Sequence, residues 1–297
     1  MALMSPGLSL AGNTLAQPLS FSFAVIANAF QAGSEDALLS GRLAKTDQDN
    51  LAFVIVNGIK SSDESCSDEL YLRRKGLLDT AQNGVIVSLS QNDWIDCRNS
   101  SGRPVAIERL NRLRELFFDG EFSLGGTKIP LQRESSNAKF RSYAENARWE
   151  LGGVLFATIH LPAANNHYRT EAGRNSEFED RQIANRDWLQ SILAIAKREK
   201  MAGIVLFCDG NPLSISADGF NRRDGFLEIR RYLSEMAGKF SGKILLIHGQ
   251  PLPDAAPDNT IVWQKNLGSL NAQASGQKFT VNHATGQLFG VAPTLPR

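Results

Sequence analysis

Short apolar runs alternate along the chain with stretches of helical period. Residues 21–27, 51–56, 84–89 and 154–160 read as strands, as do 204–207 and 244–247. Several are apolar at every position, the pattern of a strand buried on both faces. Helices are expected over residues 66–81, after Pro104, across 177–200 and near 223–237, with another capped by Ser34 and carrying Ala37, Leu38 and Leu39. The clearest is 177–200, where Leu189, Ile192, Leu193 and Ala196 fall at i, i+3, i+4 and i+7. Pro104 suits a first helical position, with Leu110, Leu113, Leu116 and Phe117 on one face behind it. Residues 261–263, 279–281 and 288–291 read as short strands between turns. The alternation predicts an α/β fold with a sheet covered on both sides. The polar stretch 132–146 reads as an insertion loop, and neither a repeat nor a linker divides the chain. Residues 21–297 are therefore expected to form one domain, behind an N-terminal arm of residues 1–20.

Composition narrows the function classes. The 32 Lys+Arg against 31 Asp+Glu leave a net charge of +1, which gives no electrostatic footprint for nucleic acid. The basic clusters Arg73-Arg74-Lys75, Arg109/Arg112/Arg114 and Arg222-Arg223 with Arg230-Arg231 read as solvated helix faces and flanking turns. No run reaches the roughly 20 apolar residues of a membrane helix. Residues 1–20 lack a basic start and are interrupted by Pro6, Gly7, Gly12 and Asn13, so they read as a loose arm or a degraded signal segment. Cys66 and Cys97 each follow a predicted strand end. A disulfide between them is expected, with free thiols as the alternative, and would contribute roughly 3.5 kcal/mol and favour an oxidising compartment. Cys208 ends an apolar strand and reads as a buried thiol.

Ligands in open α/β sheets gather at the carboxyl ends of strands. Those ends carry Asn28, Asn57, Ser90-Gln91-Asn92-Asp93, His160, Asp209-Gly210-Asn211 and His248-Gly249-Gln250. Amides dominate, and histidine is scarce at four in the whole chain. This polarity is ordinary turn chemistry or a polar pocket.

Three words in order carry a resemblance: Ile59-Lys60-Ser61, then Cys66-Ser67-Asp68-Glu69-Leu70-Tyr71, then Asn92-Asp93-Trp94-Ile95-Asp96-Cys97. With His160-Leu161-Pro162, Asn185-Arg186-Asp187-Trp188-Leu189 and Ile244-Leu245-Leu246-Ile247-His248-Gly249, they resemble a bacterial branch of the calcineurin-like metallophosphoesterases. The resemblance spans about residues 21 to 290. It implies a four-layer α/β/β/α sandwich and two divalent metals, bridged by an aspartate, that hold a hydroxide in line with a phosphate ester.

Residue by residue, the ligand set departs from that pattern. Asn28 stands at the first aspartate, with Phe30 at the following histidine. Gly58 stands at the bridging aspartate, Gln91 at the third-motif ligand and Asn92 at the leaving-group position. Leu252 stands at the terminal histidine, and only His160 keeps a family ligand position. The resemblance thus implies a degenerate member with a binding or structural role, no cofactor, and vestigial catalytic positions at Asn92 and His160. The expected ligand-binding rim is Asn28, Asn57, Gln91, Asn92, His160, His248 and Gln250, suited to a small polar or phosphate-containing ligand. His160 is the one expected metal ligand, if any. The alternative is a working phosphoesterase with a rebuilt site for Mn, Fe or Zn, drawing on Asp93, Asp96, His160, His167, Asp209 and His248. His167 is expected to be solvated. A periplasmic or secreted location is expected, with a cytoplasmic one as the alternative.

Overall fold

The computed structural model describes residues 20–27, 29–30, 36–169, 175–214, 224–250, 260–272 and 276–292. In chain order β1 (Ser20–Ala27) leads to α1 (Asp36–Thr46), β2 (Val54–Asn57) to α2 (Asp68–Asp79), and β3 (Val85–Ser88) to α3 (Ala106–Phe117). Then come β4 (Gln132–Arg133), β5 (Ala147–Leu151), β6 (Val154–Thr158), α4 (Ser176–Arg198), β7 (Gly203–Cys208), α5 (Leu227–Lys239) and β8 (Lys243–His248). β9 (Val262–Gln264), β10 (Leu267–Asn271), β11 (Gln277–Asn282) and β12 (Phe289–Val291) follow. The fold is α/β with two mixed sheets, ordered β12-β11-β1-β2-β3 and β4-β5-β6-β7-β8-β10-β9.

Strand alternation sorts the apolar side chains into three cores. Phe23, Val25, Phe53, Ile55 and Phe279 of the first sheet meet Phe156, Val205, Phe207, Leu245 and Ile247 of the second. Phe53, Phe156 and Trp149 interlock there, with ring centroids 5.0 to 5.7 Å apart. The outward residues of the first sheet, Ala24, Ile26, Val54, Val56 and Val85, pack on Leu39, Tyr71 and Leu110 of α1–α3. Those of the second, Leu155, Ala157, Ile204, Leu206 and Ile244, pack on Leu189, Ile192, Ile229 and Leu233 of α4 and α5. The expected cover on both sides of a sheet is met by each of two sheets. Each sheet carries helices on one face and the other sheet on its second face, and a strand in either position reads as uniformly apolar.

Other boundaries shift for local reasons. The helix expected from residue 66 begins at Asp68, because the Ser67 side chain caps it by accepting from the Leu70 N–H at 3.2 Å. Pro104 is not the first helical residue. It pairs with Arg98 in an isolated bridge, and α3 starts at Ala106. The polar stretch read as an insertion contains β4, which extends the second sheet beside β5. Ser34 and residues 1–19 lie outside the described residues. Cys66 and Cys97 form the expected disulfide, with Cα atoms 5.7 Å apart, and Cys208 is a buried free thiol. No helix among the described residues is long and apolar enough to cross a membrane.

Candidate functional site

The alternation that builds the core also aims the residues at its strand-end rim. In β2, Ile55 faces the shared core, so Asn57 two positions on faces the same side. Phe156 in β6 sets His160 on that side, and Phe207 in β7 does the same for Asp209. Asn57, Asp209 and Gly249 thus meet between the two sheets, and the same alternation turns His160 toward that side. His248 does not join them. It continues the Ile244–Leu246 face under the helices, beside its register partner Cys208. Burial pushes the His248 imidazole down to about 4, opposed by the nearby Gln250 backbone.

Asp209 fastens the rim. Its Oδ2 accepts from the backbone N–H of Gln91, after β3, and of Ala163, after β6, each at 2.8 Å. One carboxylate therefore ties a loop of the first sheet to a loop of the second. Burial lifts its pKa to about 7 against the pull of those two amides. Gly249 is the floor. A Cβ there would overlap Asn57 Oδ1 and come within 3.3 Å of Asp209 Oδ1. Gln250 turns its Oε1 to the Asn211 N–H at 2.8 Å, which makes it a loop brace. The Asn92 backbone carbonyl accepts from Lys60 Nζ at 2.8 Å. Asn28 and Leu252 lie outside the described residues.

His160 is held from behind. Its Nδ1 lies 2.9 Å from Glu145 Oε1, and Arg114 braces Glu145 through two hydrogen bonds of 2.8 and 2.6 Å. The Arg114 guanidinium and the His160 hydrogen bond outweigh burial and hold the Glu145 carboxyl at about 2. An ionised Glu145 assigns the proton to Nδ1, because burial lowers the His160 pKa and leaves the ring neutral. The lone pair of His160 then sits on Nε2, which is buried and without a hydrogen-bond partner. Asn57 Oδ1 and Gln91 Oε1 are likewise buried without partners. The rim thus presents oriented acceptors.

A second histidine is also held in place. His167 Nδ1 lies 2.8 Å from Glu177, which Arg181 braces in turn, and its ring meets Trp94 edge-on with centroids 4.7 Å apart. The expectation that His167 is solvated is corrected, since its side chain is mostly buried in this network. Asp93 serves the backbone. It accepts from Ile59, Lys60 and Ser90 N–H groups at 2.9, 3.3 and 2.7 Å, closing the loop around Gly58.

This donor set does not fit two adjacent dications, which need anionic oxygens between them. Gly58, at the bridging position, has φ +82° and no side chain, and a Cβ there would meet Ser90 Oγ at 2.9 Å. Gln91 and Asn57 offer neutral oxygen, and Asp209 spends Oδ2 on backbone. Among the described residues no group of three or more His, Cys, Asp and Glu is placed to hold a metal ion. Gly58→Asp is expected to cost about 1–2 kcal/mol for the left-handed backbone alone, and to create no metal affinity. Urea unfolding with and without Mn checks both parts, and a midpoint raised by Mn in the variant would contradict the second.

The rim and its surroundings also set a pH response. Burial raises Asp93 to about 6, Asp209 to about 7 and Glu134 to about 8. Folding takes up protons at carboxyls whose folded pKa is raised, so their contribution is present below about pH 4 and is lost as pH rises toward 8. The lowered His160 and His248 imidazoles act in the opposite sense below about pH 6.5, so the thermal midpoint is expected to fall between about pH 6.5 and pH 8, and a midpoint that rises across that window would contradict it. No protein-family model matches the chain, and no curated protein matches it.

Proposed function

We propose that this chain is a calcineurin-like metallophosphoesterase of the four-layer α/β/β/α type that has lost its dimetal centre and acts as a binding or structural protein. The observation that carries the reading is Gly58, where the bridging carboxylate is absent and Ser90 occupies the room it would need. The ordered sequence words and a rim seated between two sheets at the strand ends support the family part. The rim suits a small polar ligand held by hydrogen bonds. The Cys66–Cys97 disulfide supports a periplasmic or secreted location. Elemental analysis of the purified chain is expected to find far less than one Mn, Fe or Zn per chain. Two metals per chain would overturn the reading.

One observation favours a second reading. His160, with its free Nε2 lone pair braced by Glu145, and Asp209, titrating near neutrality, share one rim. A rebuilt phosphoesterase site would use them as base and acid. Assays on phosphate mono- and diesters with added Mn separate the readings, because only a rebuilt site gives activity that His160→Ala abolishes.

A further inference from the structure

A cavity of about 1170 Å³ opens between the C-terminal end of α3, the segment from Phe118 to Arg133, and β5. Asn57, Gln91, His160, Asp209 and Gly249 do not line it. Its wall holds donors that find nothing to bond. Arg133 is 9% exposed, and its guanidinium hydrogen-bonds only to backbone, with Nε to the Gly120 carbonyl at 2.6 Å and Nη1 to that of Ala144 at 2.9 Å, while its face lies 5.6 Å from the centroid of the Phe118 ring. It forms no ion pair with any described carboxylate, and its third nitrogen bonds to nothing described. Burial pulls its pKa down to about 10 despite the fields of Glu145 and Asp119, neither of which is in ion-pair contact, and a buried guanidinium normally has an anion against it.

Trp149 supplies the second donor. Its ring is wedged in the aromatic core beside Phe53 and Phe156, 5% exposed, yet its indole N–H is buried without an acceptor. The β4–β5 register pairs Arg133 with Ala147. Trp149, two residues on from Ala147, therefore projects from the same face as Arg133. At the lining's outer part Arg141 is exposed and makes no ion pair among the described residues. We propose that this cavity is a binding site for a small molecule bearing a single oxyanion group, carboxylate or phosphate, received by Arg133 and the Trp149 indole N–H, with Arg141 at the entrance. Glu115, Asp119, Glu121 and Glu150 also line the space, so a second anionic group on the ligand would be repelled and donor groups favoured.

The test reads the indole 15N–1H resonance of Trp149 in the full chain, assigned by its loss in Trp149→Phe. Inorganic phosphate and acetate are titrated separately, against sodium chloride at equal ionic strength. A saturable shift with phosphate alone assigns the phosphate form, a shift with acetate alone the carboxylate form, and shifts with both a general oxyanion site. Arg133→Gln is expected to weaken the response at least tenfold, the scale of a lost charged hydrogen bond. Arg141→Gln, a surface change that spares the core if Arg133→Gln fails to fold, is expected to weaken it about threefold. The proposal is overturned if neither anion shifts the resonance beyond chloride, or if Arg141→Gln and every folded Arg133 variant respond as the parent does.

Discussion

Replacing Glu145 with alanine is expected to cost about 3–5 kcal/mol, the scale on which removing one partner of a buried ion pair destabilises a protein. The carboxylate is 2% exposed and serves two clients, the Arg114 guanidinium and the His160 Nδ1–H. Its loss leaves a mostly buried cation and a buried donor facing each other across a cavity. The cost belongs to the unpaired groups rather than to the bond itself. Arg114→Met combined with Glu145→Ala is therefore expected to cost less than the two single changes added together, by 1 kcal/mol or more. Urea midpoints of the three variants measure this, and strict additivity would sink it. The pH behaviour supplies a second check. Glu145 is depressed to about 2, so its contribution is complete above about pH 4.5 and is lost as pH falls through about 2. The Glu145→Ala variant should lose this acid-side slope.

This pair was the part of the candidate site least visible in the sequence, although its signal was there. Glu145 sat in a polar stretch that reads as an insertion, and nothing local linked it to His160. The link is a hairpin. Gly152 and Gly153, at φ +56° and +69°, form the two-residue turn that favours positive φ at both central positions. Arg148 then faces Ala157, and continuing that register sets Glu145 opposite His160. A Gly-Gly pair between ARWEL and VLFAT was sufficient to predict it. β5 stayed hidden because Arg148 and Glu150 lie on its solvent side and dilute the apolar signal, and β10 because Gly268 and Ser269 interrupt it. By contrast β7, β8 and α4 were legible. Burial on both faces leaves an uninterrupted apolar run, and burial on one helix face leaves a clean period. Which sheet a strand joins left no trace at all, since Phe23 and Phe207 meet from strands far apart in the chain.

Removing the disulfide as Cys66→Ser/Cys97→Ser is expected to cost roughly 3.5 kcal/mol by loop-closure entropy, and to loosen the rim before the rest of the fold. The bond joins the residue just before the Ser67 cap of α2 to the turn that follows Asp93. Both anchors belong to the frame around Gly58. Tyr71, in the first turn of α2, donates its hydroxyl to the Asp93 carbonyl at 2.7 Å, and the Asp93 carboxylate holds the Ile59 and Lys60 amides. Freeing the two cysteines lets α2 and the Gln91–Asp93 turn separate, and the amides held across that seam lose protection. Hydrogen exchange is therefore expected to speed up at Ile59 and Lys60 by a larger factor than at Val205 or Leu245, whose partners lie within the second sheet. Cys208 cannot form a replacement bond, because the double variant leaves it as the single cysteine of the chain. Equal acceleration at all four amides would mean that the disulfide acts only by restricting the unfolded chain and has no local hold on the rim.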